Sequence, residues 1–379
     1  MRAAVVILNW NGKAFLEKYL PVLIEHTPEE VGTIYVADNG STDGSVELLK
    51  SCWPQEATLE GATLEGATPQ GTGPRVKLIE LDQNYGFTGG YNRALKQIEA
   101  EFYVLINSDI RVSEGWLSTV IDFMDNHPDA GICMPKILSE ADHSQFEYAG
   151  ACGGFIDRFG YPFCRGRILS KVEMDEGQYD APMEIFWASG ACMVVRSHIY
   201  NQLGGLDESF FAHMEEIDFC WRAKLMGYHA WVVPQSKVYH VGGGTLPNNS
   251  PRKLYLNYRN NLLMLYKNLP YRKGEQRTSF CRNTAISSRN TSLLRRNATI
   301  FLRMCLDGLS ALAYLAQGKF QFFKAVFKAH RDYRKMKKTT EISSRCISYT
   351  NSYLRHLAGA YNRSIILCFF TGRNKFSKL

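Results

Sequence analysis

Apolar and polar positions along this chain follow two rhythms. "AAVVILNWNG" is a short apolar run that closes on polar residues, and "AFLEKYLPVLIEH" follows it with helical spacing. "GTIYVADNGSTDGS" is a second such run ending in an Asp-Asn-Gly-Ser turn, with a helix starting near Ser45. "RVKLIELDQN" predicts a third strand, then a glycine-rich turn and the helix "YNRALKQIEA". "EFYVLINSDI" predicts a fourth strand. Strands alternating with helices imply a parallel, doubly wound α/β sheet, which binds ligands beyond the carboxyl ends of its strands. Those ends carry Asn9, Asp38-Asn39, Asn84 and Asn107-Ser108-Asp109, all polar and all expected on one edge.

Past residue 130 the rhythm becomes short strands and turns. The stretch "FFAHMEEIDFCWRAKLMGY" (210–228) then predicts a helix with Glu215, Glu216 and Asp218 in its first turn, and "HAWVVPQSKVYHVGGG" predicts a further strand. From about 251 the pattern is helical and basic. "KFQFFKAVFKAHRDYRKMKK" places Phe320, Phe323, Val326 and Phe327 on one face, with Lys319, Lys324, Lys328 and Arg331 mostly off it. The segment 278–300 carries no readable period. "EATLEGATLEGATPQGTGP" (56–74) reads as a flexible surface insertion of about residues 55–74.

Composition adds one asymmetry. The chain has 379 residues, 45% of them hydrophobic and 21% charged, with net charge +7. Residues 271–379 hold 22 basic and 4 acidic residues, a net of +18, whereas residues 1–270 hold 22 basic and 33 acidic, a net of −11. An acidic body with a basic tail points to an anionic membrane surface, or to nucleic acid, as the tail's partner. Phenylalanines on a helix face and few Gly/Arg repeats favour the membrane and argue against nucleic acid. None of the ten cysteines forms a C-x-x-C pair, which argues against a zinc or redox motif. The start of the chain lacks signal-peptide character, so a cytoplasmic, reducing setting is expected. No run reaches about 18 uninterrupted apolar residues, and "FLRMCLDGLSALAYLA" (301–316) carries Arg303 and Asp307, so a membrane-spanning helix is not expected.

Each candidate group has a plain structural reading beside a chemical one. Asp38 suits a turn. The glycines of "NYGFTGGYN" (84–92) can simply make room, or can bring backbone amides towards phosphate. Asp109 suits a strand end, and a lone His240 suits a core. The three acids suit a helix N-terminus. Helical spacing sets Glu216 and Asp218 beside the buried stripe of Ile217, Cys220 and Trp221, and sets Glu215 towards solvent or the loop.

The motifs "VVILNWNG", "VADNGSTDGS", "NYGFTGGYNRAL", "VLINSDI", "SGACMVVRS", "GGLDESFFAHMEEIDFCWRAKLMGY" and "VYHVGGG", in this order over residues 3–245, resemble the inverting nucleotide-sugar glycosyltransferases of family 2. The chain looks especially like the rhamnosyltransferase-type members that build bacterial surface polysaccharide. The resemblance implies a GT-A fold over residues 1–245, a Rossmann-like, mostly parallel sheet, with residues 246–379 as a basic helical extension that associates with membrane. It implies a dTDP- or UDP-linked sugar as donor, a saccharide or lipid-linked saccharide hydroxyl as acceptor, and a divalent cation, Mg²⁺ or Mn²⁺.

By the same resemblance, Asp38 would accept from the base, Asn9, Asn84 and Asn107 would lie at the nucleotide, and Asp109 and His240 would bind the metal. Glu216 would be the catalytic base and Asp218 its support. The chain departs from the family's usual pattern at Asn107, where Asp is common, and at Glu216, where Asp is again common. These departures make a catalytically inactive nucleotide-sugar-binding protein the competing reading. An enzyme of this kind is expected in the cytoplasm, peripheral at the inner face of the cell membrane.

Overall fold

The structure is a computed structural model that describes residues 1–53, 76–242, 250–269, 284–340 and 354–379. The expected insertion at 55–74 lies wholly outside the described residues.

The apolar runs named above become β1 (Ala3–Asn9), β2 (Gly32–Asn39), β3 (Val76–Leu81) and β4 (Phe102–Ile106). All four are parallel, in the order β4-β1-β2-β3. Helices α1 (Lys13–Glu25), α2 (Ser45–Cys52) and α3 (Gly86–Leu95) connect them. Strands β1 and β4 are buried along almost their whole length, which is why their sequences read as continuous apolar runs rather than as alternation.

The second half breaks the parallel pattern. The short strand β5 (Ile110–Val112) and helix α4 (Trp116–Asn126) lead into β6 (Ala130–Ser139). The mini-strands β7 (Gly154–Asp157), β8 (Pro162–Cys164), β9 (Arg167–Ile168) and β10 (Lys171–Val172) form a separate small sheet. Strands β11 (Met183–Ile185), β12 (Cys192–Arg196) and β13 (His229–His240), with helices α5 (Ser197–Leu203) and α6 (Glu215–Leu225), complete the main sheet. Strand β12 lies antiparallel between β4 and β6, and β13 runs parallel to β6. The far end of β13 also pairs antiparallel with β5, setting His240 opposite Ile110. That pairing brings His240 beside Asp109.

The boundary expected at 245 does not coincide with a break in packing. Helix α7 (Pro251–Asn268) lies against α6. Its Leu256 and the run Leu262–Leu265 are buried in the same core as the sheet. Helices α8 (Thr284–Ala316) and α9 (Phe320–Thr339) form the next layer on α7. The C-terminal stretch returns to the body, where β14 (Ala360–Tyr361) pairs parallel with β7 and the Ile365 amide donates to Asp157 at 2.9 Å. The segment at 278–300 proves to be helical from Thr284 onwards. A window of α8, Leu294–Ala316, is long and apolar enough to cross a membrane by length and composition.

On α9 the expected faces are redistributed. Val326 is buried with Ala325, Ala329 and Tyr333, while Phe320 and Phe327 are exposed on the same side as Lys324, Lys328 and Arg331. Alanines and the Tyr333 ring, which packs edge-on against Tyr266 of α7, face that helix, and Phe320 and Phe327 point away from it.

An ion pair buried within α8 is joined to the body through Asn261 and Tyr161. Arg303 donates to Asp307 at 2.8 Å and to Asn261 of α7 at 2.6 Å, and its guanidinium stacks 3.6 Å from the Tyr161 ring. Both partners are buried, so removing only one strands the other. Arg303→Met is expected to cost about 3–5 kcal/mol in urea unfolding. The double variant Arg303→Met/Asp307→Leu should recover a substantial part of that loss.

Candidate functional site

Three clusters meet at the carboxyl edge of the parallel strands. The first is at the ends of β1 and β2. Asn9 is fully buried and its side-chain amide donates to Asp38 Oδ2 at 2.9 Å and to Ser41 Oγ at 3.2 Å. The Ser41 amide donates to the other Asp38 oxygen at 2.8 Å. Asp38 is thus oriented from both sides, and a carboxylate so held still has lone pairs for another donor. Asn9 lies behind Asp38 and acts through it.

Asn84 occupies the glycine-rich turn, where its Oδ1 accepts from the Gly86 amide at 2.8 Å and from Asn39 Nδ2 at 3.2 Å. Gly86 has φ +72°, and an added Cβ would lie 2.6 Å from the Phe211 ring and 2.7 Å from its carbonyl oxygen. The glycine is there because another loop passes against it.

The second cluster surrounds His240. Its Nε2 lies 3.2 Å from Asp109 Oδ1 and 3.4 Å from the Asn107 side-chain amide, and its Nδ1 lies 3.5 Å from Glu147 Oε1. Burial alone would push the imidazole down, but the bonds to Asp109 and Glu147 prevail and raise it to about 10. Burial likewise pushes Asp109 up, and His240 more than offsets it, leaving Asp109 below its ordinary value.

Among the described residues no group of three or more His, Cys, Asp or Glu side chains is placed to hold a metal ion, but Asp109 and His240 stand close enough to supply two ligands to one. In an octahedron with bonds of about 2.1 Å, neighbouring ligands stand about 3 Å apart, close to the Asp109–His240 separation. The Asn107 amide can turn its oxygen to the same point. Glu147 was not anticipated from sequence. It sits in an unremarkable turn, and only the fold brings it to the outer nitrogen of His240, where its charge helps hold a proton on the ring.

The third cluster is the acidic turn of α6. Glu216 is half-buried, and one of its carboxylate oxygens has no hydrogen-bond partner among the described residues. Its Cβ faces Gly190, and Ala191, the next residue, accepts from the Asn107 amide at 3.0 Å. The base candidate and the metal candidates therefore meet across residues 189–191. An added Cβ at Gly12 would lie 3.2 Å from Ser108 Oγ and hard against Asn9, which joins the first cluster to the second.

Burial raises Glu216 to about 7, and burial together with the Glu216 charge raises Glu215 well above the carboxylate range. The solvent-facing placement expected for Glu215 is wrong: it is buried, at 4% exposure. Helix α6 is covered on several sides, by α5, β13 and α7. A wheel drawn against one buried stripe could not register that.

Asp218 is fully buried and differs in kind. It accepts from Arg222 at 2.8 Å, Lys267 at 3.0 Å and Asn268 at 2.7 Å. Burial pushes Asp218 up, and the Lys267 and Arg222 charges outweigh it and hold the carboxyl low. Its bonds tie α6 to α7, so its contribution to the site is positional.

Helix α7 supplies another unanticipated element. The Asn260 amide reaches the carbonyl oxygens of Phe210, Ala212 and His213 at 2.9, 2.8 and 2.7 Å, and Arg259 reaches Phe210 at 2.8 Å. On the other side of the same loop, the Phe211 carbonyl accepts from the Phe87 amide at 2.8 Å. The loop before the acids is held from both sides.

A mixed sheet with oriented polar side chains after β1, β2 and β4, faced by the acidic turn of α6, is the α/β frame of a glycosyltransferase of the GT-A fold. The family profile described as glycosyl transferase family 2 matches residues 4–203. The chain belongs to that family and is a glycosyltransferase.

It is 26% identical over 252 residues to the N-acetylglucosaminyl-diphospho-decaprenol L-rhamnosyltransferase of Mycobacterium tuberculosis, covering 62% of this chain and 75% of the relative. It is 25% identical over 163 residues to the rhamnosyltransferase WbbL of Escherichia coli K12, covering 41% and 61%. Among solved structures it is similar to GalNAc-T7 with UDP, GalNAc and Mn²⁺, at a TM-score of 0.51 and 14% identity, over 70% of this chain and 48% of that one.

The raised carboxyl of Glu216 gives a signed pH prediction. A base must be unprotonated, so kcat/KM should climb as pH rises through about 7. Stability should move the other way. The folded protein holds a proton that the unfolded chain releases in the ordinary carboxylate range, so stability falls as pH rises towards 7. Glu216→Gln should flatten both profiles and lower kcat by roughly 10²–10⁴-fold, with donor affinity preserved. Steady-state kinetics and thermal melts across pH 5–9 check both.

Proposed function

We propose that this chain is an inverting, divalent-metal-dependent glycosyltransferase that moves a sugar, rhamnose foremost, from a dTDP- or UDP-linked donor to a hydroxyl of a lipid-linked saccharide. The observation that carries this reading is the separation of roles among buried acids. Asp109 is held low beside His240 and Asp218 is held low by cations, whereas Glu215 and Glu216 are both raised and each keeps an unpartnered oxygen, and of these two Glu216 is the one that is not fully buried. The mycobacterial relative is named for transfer to a lipid-linked N-acetylglucosamine, which supports the acceptor class.

Asp38, oriented by Asn9 and Ser41, would accept an imide N–H of uracil or thymine. Asn84 holds the glycine-rich turn, whose backbone would lie at the nucleoside, and Asn107 would bind the nucleotide. Asp109 and His240 would hold Mg²⁺ or Mn²⁺, with Glu147 fixing the imidazole. Such a cation, when bound, neutralises charge building on the departing diphosphate. Glu216 would take the acceptor hydroxyl's proton as that oxygen attacks the anomeric carbon opposite the nucleotide. Asp218 and Lys267 would keep α6 and α7 in register behind it. The excess of cations after residue 270 would attract the protein to the anionic inner face of the cell membrane, where a lipid-linked acceptor resides.

The competing reading is a nucleotide-sugar-binding protein without turnover. Release of nucleoside diphosphate from a panel of dTDP- and UDP-sugars, with a lipid-linked N-acetylglucosamine acceptor, separates the two. Release is expected only when acceptor and Mn²⁺ or Mg²⁺ are both present, and Asp109→Asn should weaken Mn²⁺ binding as read by electron paramagnetic resonance. Donor binding without release under every condition would establish the inactive reading.

A further inference from the structure

Helix α8 is amphipathic in the opposite sense to an ordinary surface helix. Ile300, Arg303, Asp307 and Ala311 occupy the side that meets the body. On the other side Leu294, Phe301, Leu309 and Leu312 are 66, 66, 62 and 57% exposed. Gly308, on that same side, has nothing within 4 Å of where a Cβ would be. The charges point inward and the large apolar groups point out.

The inward charges also lock the rotation of the helix. Arg303 is bonded to Asp307 and Asn261 and stacked on Tyr161. Turning the leucine side inward would strand a buried guanidinium and a buried carboxylate. The same bonds oppose a crossing of the membrane, because the middle of the helix is committed to the protein.

Helix α9 continues the outer surface with a different chemistry. Phe320 and Phe327 are 60 and 56% exposed. Phe323, Phe327, Lys324, Lys328, Arg331 and Arg334 line a shallow cleft there. Contiguous exposed apolar stripes on soluble monomers usually mark an interaction site. Here the stripe is bordered by cations with long apolar stems that can lie along lipid while their charges reach the headgroups.

We propose that α8 and α9 lie in the plane of an anionic bilayer, with the Leu/Phe side of α8 in the acyl boundary and the α9 cations at the lipid phosphates. This rests on the transferase reading above and turns attraction by a basic tail into insertion of a defined face. Charge selects the occupant. The cations beside the stripe complement anionic headgroups. The α9 cations Lys324, Lys328, Arg331 and Arg334 would set two copies of this face against each other.

The test is flotation of the full chain with phosphatidylcholine vesicles, with and without 30% phosphatidylglycerol. Wild type should float with the anionic vesicles, and more than half should stay bound in 0.5 M NaCl. Leu309→Glu/Leu312→Glu should lose at least tenfold in binding with every cation still in place. Undiminished flotation of that variant, or complete release of wild type by salt, would overturn insertion. So would a concentration-dependent dimer, seen by sedimentation in wild type and absent in the variant, because the face would then belong to a second copy.

Both substitutions sit on exposed positions, so the thermal melt should move by no more than a few degrees. Should the double variant unfold, Phe301→Gln and the salt series on wild type read the same contact. Nucleotide release with a short-chain, water-soluble acceptor is measured in parallel. It should be unchanged in Leu309→Glu/Leu312→Glu, and its absence in wild type would count against the transferase reading and leave the membrane result standing.

Discussion

The site depends on how one short loop is gripped. Residues Phe211, His213 and Met214 all adopt positive φ, at 66°, 70° and 74°. Non-glycine residues in such conformations cost of the order of 1–3 kcal/mol each. The loop persists because its carbonyl groups are spoken for on both sides. Asn260 and Arg259 take them from α7, and the Phe87 amide takes that of Phe211 from the glycine-rich turn. The grip fixes the start of α6, and with it the direction of Glu216. It also fixes the turn carrying Asn84. Nucleotide edge, acidic helix and C-terminal helix are therefore one mechanical unit, although they lie far apart in sequence.

Within that unit, electrostatics separates residues of the same type. Three carboxyls share one turn of α6. Asp218 faces Arg222, Lys267 and Asn268 and stays ionised. Glu215 and Glu216 have no described cation against them, and burial pushes both upward. A buried carboxyl near neutrality is suited to taking a proton and then giving it up. The same burial around His240 leads elsewhere, because two carboxylates flank the ring and overcome the desolvation.

The parallel half of the fold was legible because buried parallel strands carry unbroken apolar runs, and because Asn9, Asp38 and Asn107–Asp109 close those runs at one edge. The site residues named from the motifs do fall into neighbouring clusters. Three features were not legible, for physical reasons. Glu147 has no local signature, since its role exists only through a long-range contact to His240. Glu215 was misplaced because a helical wheel assumes one buried side, and α6 has several. The importance of α7 was hidden because Asn260 and Lys267 look like surface polar residues until the loop and Asp218 are brought against them. The exposed face of α8 was hidden because Arg303 and Asp307 served only as interruptions of an apolar run, and they are the buried residues of that helix.

The central claim is a single-base displacement in which Glu216 deprotonates the acceptor and no group on the protein bonds to the sugar. The anomeric configuration of the product reports on this directly. Transfer from a donor of known configuration to a lipid-linked N-acetylglucosamine analogue, followed by NMR of the new glycosidic linkage, should show inversion. A product with retained configuration would contradict the account.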